Sequence, residues 1–269
     1  MLITNNGVKL NVLITRPTKK AQALAESLSA SNIACVNQPL FDYQPLADHQ
    51  TSENLLTNGN IIIFVSIAAV EFANKIFAAQ NWRYQHIIAV GRATRAALQL
   101  LGINNVHCPQ QENSEGLLTL AVLNKSFDGE PITIVRGNNG REHLAKRLIE
   151  QGAKVNYLES YQRVWRTFTE DIGNQWFKQQ INCIVVTSNA ILEKLVQLII
   201  TQQEQSSAQN STKNNAQQLT EYWRNQCLWV VASQRIANTA KQFGLTHVMI
   251  SDGASENAIT ATLQQLESK

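Results

Sequence analysis

The feature that most constrains this chain is that it repeats itself. "VLITRPTKKAQALAESL" at 12–28 resembles "TIVRGNNGREHLAKRL" at 133–148, with Arg16 on Arg136, Leu24 on Leu144 and Leu28 on Leu148, 120 positions apart. "NIIIFVSIAAVEFANKI" at 60–76 resembles "NCIVVTSNAILEKLVQL" at 182–198, which sets Ser66 on Ser188 at a separation of 122. "IIAVGRATRAALQLLGI" at 87–103 resembles "WVVASQRIANTAKQFGL" at 229–245, with Gly91 on Ser233, 142 apart. Finally "VHCPQQENSEGLLTLAVL" resembles "VMISDGASENAITATLQQL", with Ser114 and Glu115 on Ser255 and Glu256, 141 apart. Four matches in one order point to a duplication. The growth in separation requires about twenty inserted residues in the second copy, and "TQQEQSSAQNSTKNNAQQLTE" at 201–221 supplies them. That stretch is polar, rich in Gln, Asn and Ser, and lacks apolar periodicity, so it reads as a mobile loop.

Within each copy, short β-rich runs alternate with amphipathic segments. Strands are expected near 11–15, 34–38, 61–65, 87–90 and 105–107, then 132–136, 154–158, 183–187, 228–232 and 247–250. In "AQALAESLSAS", Ala21, Leu24, Ala25 and Leu28 share a helical face, and in "EHLAKRLIEQG" Leu144, Leu148 and Ile149 do so, with Gly152 closing the helix. Alternation of β and α implies an α/β protein whose parallel sheets are flanked by helices. Runs such as "IIIFV" and "CIVV" suit strands buried on both faces.

Bulk properties remove several function classes. The net charge is +3 and no basic run exceeds Lys19–Lys20, so the chain lacks the field that non-specific DNA binding needs. No apolar run approaches the roughly 20 residues of a membrane span. The opening "MLITNNGVKL" lacks a basic stretch followed by an apolar one, so no signal peptide is expected. Cys35, Cys108, Cys183 and Cys227 are far apart and read as buried thiols in a reducing compartment. The five histidines, His49, His86, His107, His143 and His247, are isolated, which argues against a metal site.

Ligands of open α/β sheets bind beyond the carboxyl ends of the strands. Arg16 follows "VLIT", Ser66 follows "IIIFV", Gly91 follows "IIAV", Arg136 and Gly137 follow "ITIV", Thr187, Ser188 and Asn189 follow "CIVV", and Ser233 follows "VVA". Most of these open a helix, where unpaired N–H groups and the helix dipole favour an anion. Taken alone, each serine reads first as a simple N-cap. Neither G-x-x-x-x-G-K-[ST] nor G-x-G-x-x-G nor G-x-S-x-G occurs, so nucleotide-loop and esterase readings lack support.

"VLITRP", "VRGNNGRE", "ESYQR" at 159–163, "VVTSNAILEKL" and "VVASQRIA" together resemble the bacterial uroporphyrinogen-III synthase family, from about residue 11 to 266. The resemblance implies two similar domains, with domain one at 1–40 and 166–269 and domain two at 42–163. The links 38–43 and 159–164 would pair as a two-stranded antiparallel linker, and the ligand would occupy the cleft between the domains. It implies cyclisation of hydroxymethylbilane to uroporphyrinogen III with loss of water and inversion of ring D, without a cofactor or metal. The substrate has eight carboxylates, which gives the helix N-termini a role. Tyr161 matches the family's cleft tyrosine, either as the general acid or as hinge packing. Substrate binding would fall to Arg16, Ser66, Gly91, Thr94, Arg136, Gly137, Asn138, Arg141, Thr187, Ser188, Asn189 and Ser233. For Arg16, Arg136 and Arg141 the alternative is a structural ion pair with the other domain's helices. A cytoplasmic monomer, in transient contact with the enzyme that supplies its substrate, is also implied. Two alternatives stay open at this stage: a two-lobed binding protein for a polycarboxylate, and another enzyme on the same scaffold acting on a different polyanion.

Overall fold

The computed structural model describes residues 9–138, 142–201 and 213–267. The chain divides into two compact units, the first made of residues up to Asp42 and from Trp165 onward, the second of Tyr43–Val164. It begins in the first unit with β1 (Asn11–Ile14), α1 (Thr18–Ala30) and β2 (Ala34–Asn37). β3 (Phe41–Pro45) leads into the second unit. There follow α2 (His49–Thr57), β4 (Ile61–Phe64), α3 (Ile67–Ile76), β5 (His86–Ala89), α4 (Arg92–Gln99), β6 (Val106–His107) and α5 (Ser114–Leu118). β7 (Pro131–Gly137), α6 (His143–Glu150) and β8 (Lys154–Trp165) complete it. The first unit resumes with α7 (Ile172–Lys178), β9 (Cys183–Val186) and α8 (Asn189–Val196), which widens into a π-helical turn at Gln197–Thr201. α9 (Lys213–Asn225), β10 (Leu228–Val231), α10 (Gln234–Gln242), β11 (Val248–Ile250) and α11 (Glu256–Glu267) end the chain.

The first unit's sheet has the order β11-β10-β9-β1-β2 and the second's β3-β8-β7-β4-β5-β6. All pairings from β11 to β2 and from β8 to β6 are parallel. β3 is the exception. Leu46 N–H donates to Ser160 C=O at 3.2 Å and Arg166 N–H to Leu40 C=O at 2.9 Å, so that advancing along one segment means retreating along the other. The central strands β4 and β9 are buried at all four positions, as near-continuous apolar runs covered on both faces should be.

The duplication holds down to strand register. Val12 faces Cys183 as Ile132 faces Ile61, and Cys183 faces Leu228 as Ile61 faces His86. Asn11 faces Ala34 as Pro131 faces Lys154. At the last strand the sequence alignment needs correcting by one residue. Trp229 faces Val248 while Ile87 faces Val106, and Ser255 and Asn113 each accept a hydrogen bond from the N–H three residues on. Asn113, not Ser114, is therefore the counterpart of Ser255. β6 is only two residues long, too short for its apolar pattern to fix the register.

Two further expectations are corrected. α6 buries Leu144, Ala145 and Leu148, whereas Ile149 is 57% exposed: the apolar stripe passes through Ala145 instead. Gly152 does close that helix, with φ +92, and a Cβ there would lie 2.2 Å from Phe127 O. The stretch 201–221 is not a loop throughout, since α9 starts at Lys213. Among its described side chains Leu219 and Trp223, four apart, are buried, and Tyr222 Oη donates to Ile181 C=O at 2.7 Å. An i, i+4 apolar pair within a Gln- and Asn-rich run is enough to seat a helix once Phe177 and Trp229 provide a surface. The ring of Phe177 lies 4.7 Å from that of Tyr222, and Trp229 Nε1 donates to Trp223 C=O at 2.8 Å.

Candidate active site

In the second unit the carboxyl ends of β4, β7 and β8 bring Ser66, Gly137 and Tyr161 together. Gly137 is in register with Tyr161 across a β-bulge, where β8 carries one extra residue. A Cβ at 137 would lie 2.6 Å from Cε2 and Cζ of the Tyr161 ring, so only glycine leaves that ring its seat. Tyr43 packs edge-on at 4.8 Å and Phe72 lies at 5.6 Å. The Tyr161 hydroxyl is 3.2 Å from Ser66 Oγ. Burial pushes the phenol pKa up, and the hydrogen bond to Ser66 only partly offsets this, so Tyr161 is a protonated donor at neutral pH.

Ser66 is the N-cap of α3 and accepts from Ala69 N–H at 3.0 Å. Asn138 is tied to β8, donating its N–H to Tyr161 C=O at 2.9 Å and accepting from Arg163 N–H at its Oδ1. Gly91 caps α4 without a side chain. The space a Cβ would fill is taken by Glu112, whose carboxylate accepts from Arg92 Nε at 2.9 Å. Thr94 lies one turn into α4 and is buried.

Arg136 is committed to partners in its own unit. Its Nη1 donates to Glu142 at 2.9 Å and its Nη2 to Glu159 at 3.0 Å, and the guanidinium lies 3.7 Å over the Tyr157 ring. Tyr157 donates to the other Glu142 oxygen. Glu142 is the glutamate of "RGNNGRE". Glu159, the other acceptor on Arg136, opens "ESYQR", so the two motifs meet through this cluster. Arg141 lies outside the described residues.

In the first unit the corresponding strand ends hold Arg16, Thr187, Ser188, Asn189 and Ser233. Arg16 is 5% exposed at its side chain and sits 3.2 Å from Glu256 at the start of α11. Burial lowers its pKa more than the Glu256 carboxylate raises it. Ser188 caps α8, accepting from Ile191 N–H at 3.3 Å, and Ser233 caps α10, accepting from Ile236 N–H at 3.5 Å. Thr187 and Asn189 flank the α8 cap, both half-buried. Asn189 Oδ1 is buried without a hydrogen-bond partner among the described residues. The N-cap reading of the serines is thus realised in both units. Sequence alone missed the partnership of Ser66 with Tyr161 and of Arg136 with two glutamates, although all of these residues fall in the motifs quoted above.

The described residues contain no helix long and apolar enough to cross a membrane, and no group of three or more His, Cys, Asp or Glu placed to hold a metal ion. Residues 22–261 match the sequence model of the family described as Uroporphyrinogen-III synthase HemD. The chain is 29% identical over 269 residues to the uroporphyrinogen-III synthase of Salmonella typhimurium, covering 95% of this chain and 100% of that one. With the Escherichia coli enzyme of the same name the identity is 28% over 266 residues, at the same coverage. Two solved structures share the fold. A mutant uroporphyrinogen III synthase from Thermus thermophilus has a TM-score of 0.62 at 12% identity, over 97% of this chain and 100% of that one. The Helicobacter pylori uroporphyrinogen-III synthetase has a TM-score of 0.55 at 13% identity, over 96% and 99%.

Proposed function

The chain belongs to the uroporphyrinogen-III synthase family, and from that premise we propose that it converts hydroxymethylbilane to uroporphyrinogen III. Water is lost and ring D is inverted. The reading is carried by the family match over 22–261, which takes in the strand ends of both units. It leaves the polycarboxylate-binding alternative without support. β3 and β8 serve as the antiparallel linker, since the boundaries between the units fall within those two strands. We take it to act in the cytoplasm as a monomer, in transient contact with the enzyme that supplies its substrate.

The electron-rich pyrrole expels the terminal hydroxyl and leaves an azafulvene cation. The substituted carbon of ring D attacks it through a spiro intermediate. The enzyme's contribution is to hold the chain so that this carbon, not the unsubstituted one, is presented. The helix N-termini at Ser66, Gly91, Ser188 and Ser233 attract the substrate's carboxylates without a large net charge. Arg16 and Arg136, being engaged by carboxylates of the protein, brace the strand ends of their own units.

Tyr161 assists departure of the hydroxyl as general acid. A positioned acid contributes about 10²–10⁴ in rate. On freshly generated hydroxymethylbilane, Tyr161→Phe should turn over about a hundredfold or more slower while product binding is retained. An unchanged rate would remove the acid role.

A further inference from the structure

Ser66 serves two neighbours at once. Its Oγ accepts from Ala69 N–H at 3.0 Å and lies 3.2 Å from the Tyr161 hydroxyl, 95 positions along the chain. A serine hydroxyl has one proton and two lone pairs. Capping α3 uses one lone pair, which leaves two arrangements with Tyr161. If Tyr161 donates, its proton is spent on Ser66. If Ser66 donates, the phenol proton is directed away, toward a ligand. The ring is too closely packed by Tyr43, Phe72 and Gly137 to find another partner, and among the described residues the Tyr161 hydroxyl makes no other hydrogen bond.

The duplication supplies an internal control. Ser188 caps α8 as Ser66 caps α3, but the 120-residue offset that sets Arg16 on Arg136 carries Tyr161 back onto Phe41, a buried ring without a hydroxyl. The cap is common to both copies, whereas the serine–phenol pair belongs to the second unit.

We propose that Ser66 is a positioning residue for this reaction: it donates its O–H to the Tyr161 oxygen, points the phenol proton at the departing hydroxyl, and then holds the phenolate. The proposal rests on Tyr161 being the acid. In the step, the Tyr161 proton moves to the substrate's hydroxyl oxygen as the C–O bond breaks, and water leaves with the bonding electrons. The phenolate accepts from Ser66 O–H. In the spiro intermediate the bond from the substituted carbon to its original methylene bridge breaks, and the methylene bonds instead to the unsubstituted α-carbon of ring D. That carbon then loses its proton, which restores the pyrrole and returns a proton to the phenolate. The titratable and charged groups facing the phenol are Tyr43 on β3 and Arg163 on β8, while α3 presents the uncharged Phe72.

Four variants test this, read by kcat, KM, Tm and the alkaline limb of kcat. Ser66→Thr keeps cap and donor and should stay within about threefold of the parent. Ser66→Ala should lose about tenfold in kcat with little change in KM, as for an interaction made in the transition state. Its alkaline limb should move to higher pH, because the donor that favours the phenolate is gone. Ser66→Asp keeps an acceptor for Ala69 and hence the parent Tm, yet should be as slow as Ser66→Ala. In a Tyr161→Phe background, Ser66→Ala should cost nothing further. Full rate in Ser66→Asp, a rate loss in Ser66→Ala that tracks Tm with an unmoved limb, or multiplicative losses in the double variant would each overturn the positioning role. If Tyr161→Phe is slow but Ser66→Ala is not, only the Ser66 inference fails. If Tyr161→Phe is itself unimpaired, the acid reading fails first.

Discussion

At the scale of single residues, the site is built from side chains whose partners lie far away in sequence. Ser66 meets Tyr161, and Arg136 meets Glu159. The sequence marked Ser66 and Arg136 as ends of strands, and the resemblance put Glu159 and Tyr161 in a linking segment, but neither could say what each one touches, because that depends on which strands are neighbours. Arg136 shows the consequence. Read alone it is a candidate for a substrate carboxylate, yet two glutamates and the Tyr157 ring already surround it. Tyr157 makes this cluster testable by pH. Its hydroxyl is pushed up to about 12, by burial first and then by its bond to Glu142. Folding therefore favours the protonated phenol. This stabilisation is complete below the ordinary value of 10 and is lost as pH rises from there toward about 12. Thermal melts across that range should show a falling Tm, less steep in Tyr157→Phe. The limb should not vanish, because Tyr222 in the first unit is also raised to about 12. A variant with an unchanged slope would detach Tyr157 from the account. Gly137→Ala tests the phenol's seat: its Cβ would lie 2.6 Å from the Tyr161 ring. The ring must shift, so kcat should fall about tenfold or more while far-ultraviolet circular dichroism stays native. Misplacement by about an ångström can cost as much as 10²-fold. A parent-like kcat would show that the ring's placement does not matter.

At the scale of elements, most of the architecture was legible. Apolar runs of strand length and helical stripes depend on nearest neighbours along the chain, and the duplication let each copy check the other. The equivalence of Val12 with Ile132 and of Cys183 with Ile61 survives as an equivalence of hydrogen-bonded register. Legibility failed where the local signal was thin. Two-residue β6 could not fix its own alignment, and α9 hid its apolar pair among Gln and Asn. That helix is held by tertiary contacts rather than by composition, with Trp223 fully buried. Trp223→Ala should cost the first unit about 3–5 kcal/mol, the range for emptying a core aromatic site. Chemical denaturation followed by tryptophan fluorescence would measure it. A loss well under 1 kcal/mol would return the 213–225 segment to the status of a surface appendage.

For the whole molecule, duplication followed by divergence gives two units of the same strand order and unequal chemistry. Both retain serine caps at equivalent helices, but one has Tyr161 where the other has Phe41. The family match spans both units, and the proposed reaction asks of them mainly the shape that selects one carbon of ring D over another. The most direct measurement is therefore product identity rather than rate. Hydroxymethylbilane generated enzymatically in the presence of this protein, followed by oxidation and chromatography of the porphyrins, should give predominantly the type III isomer. Type I alone, the product of uncatalysed closure, would contradict the account.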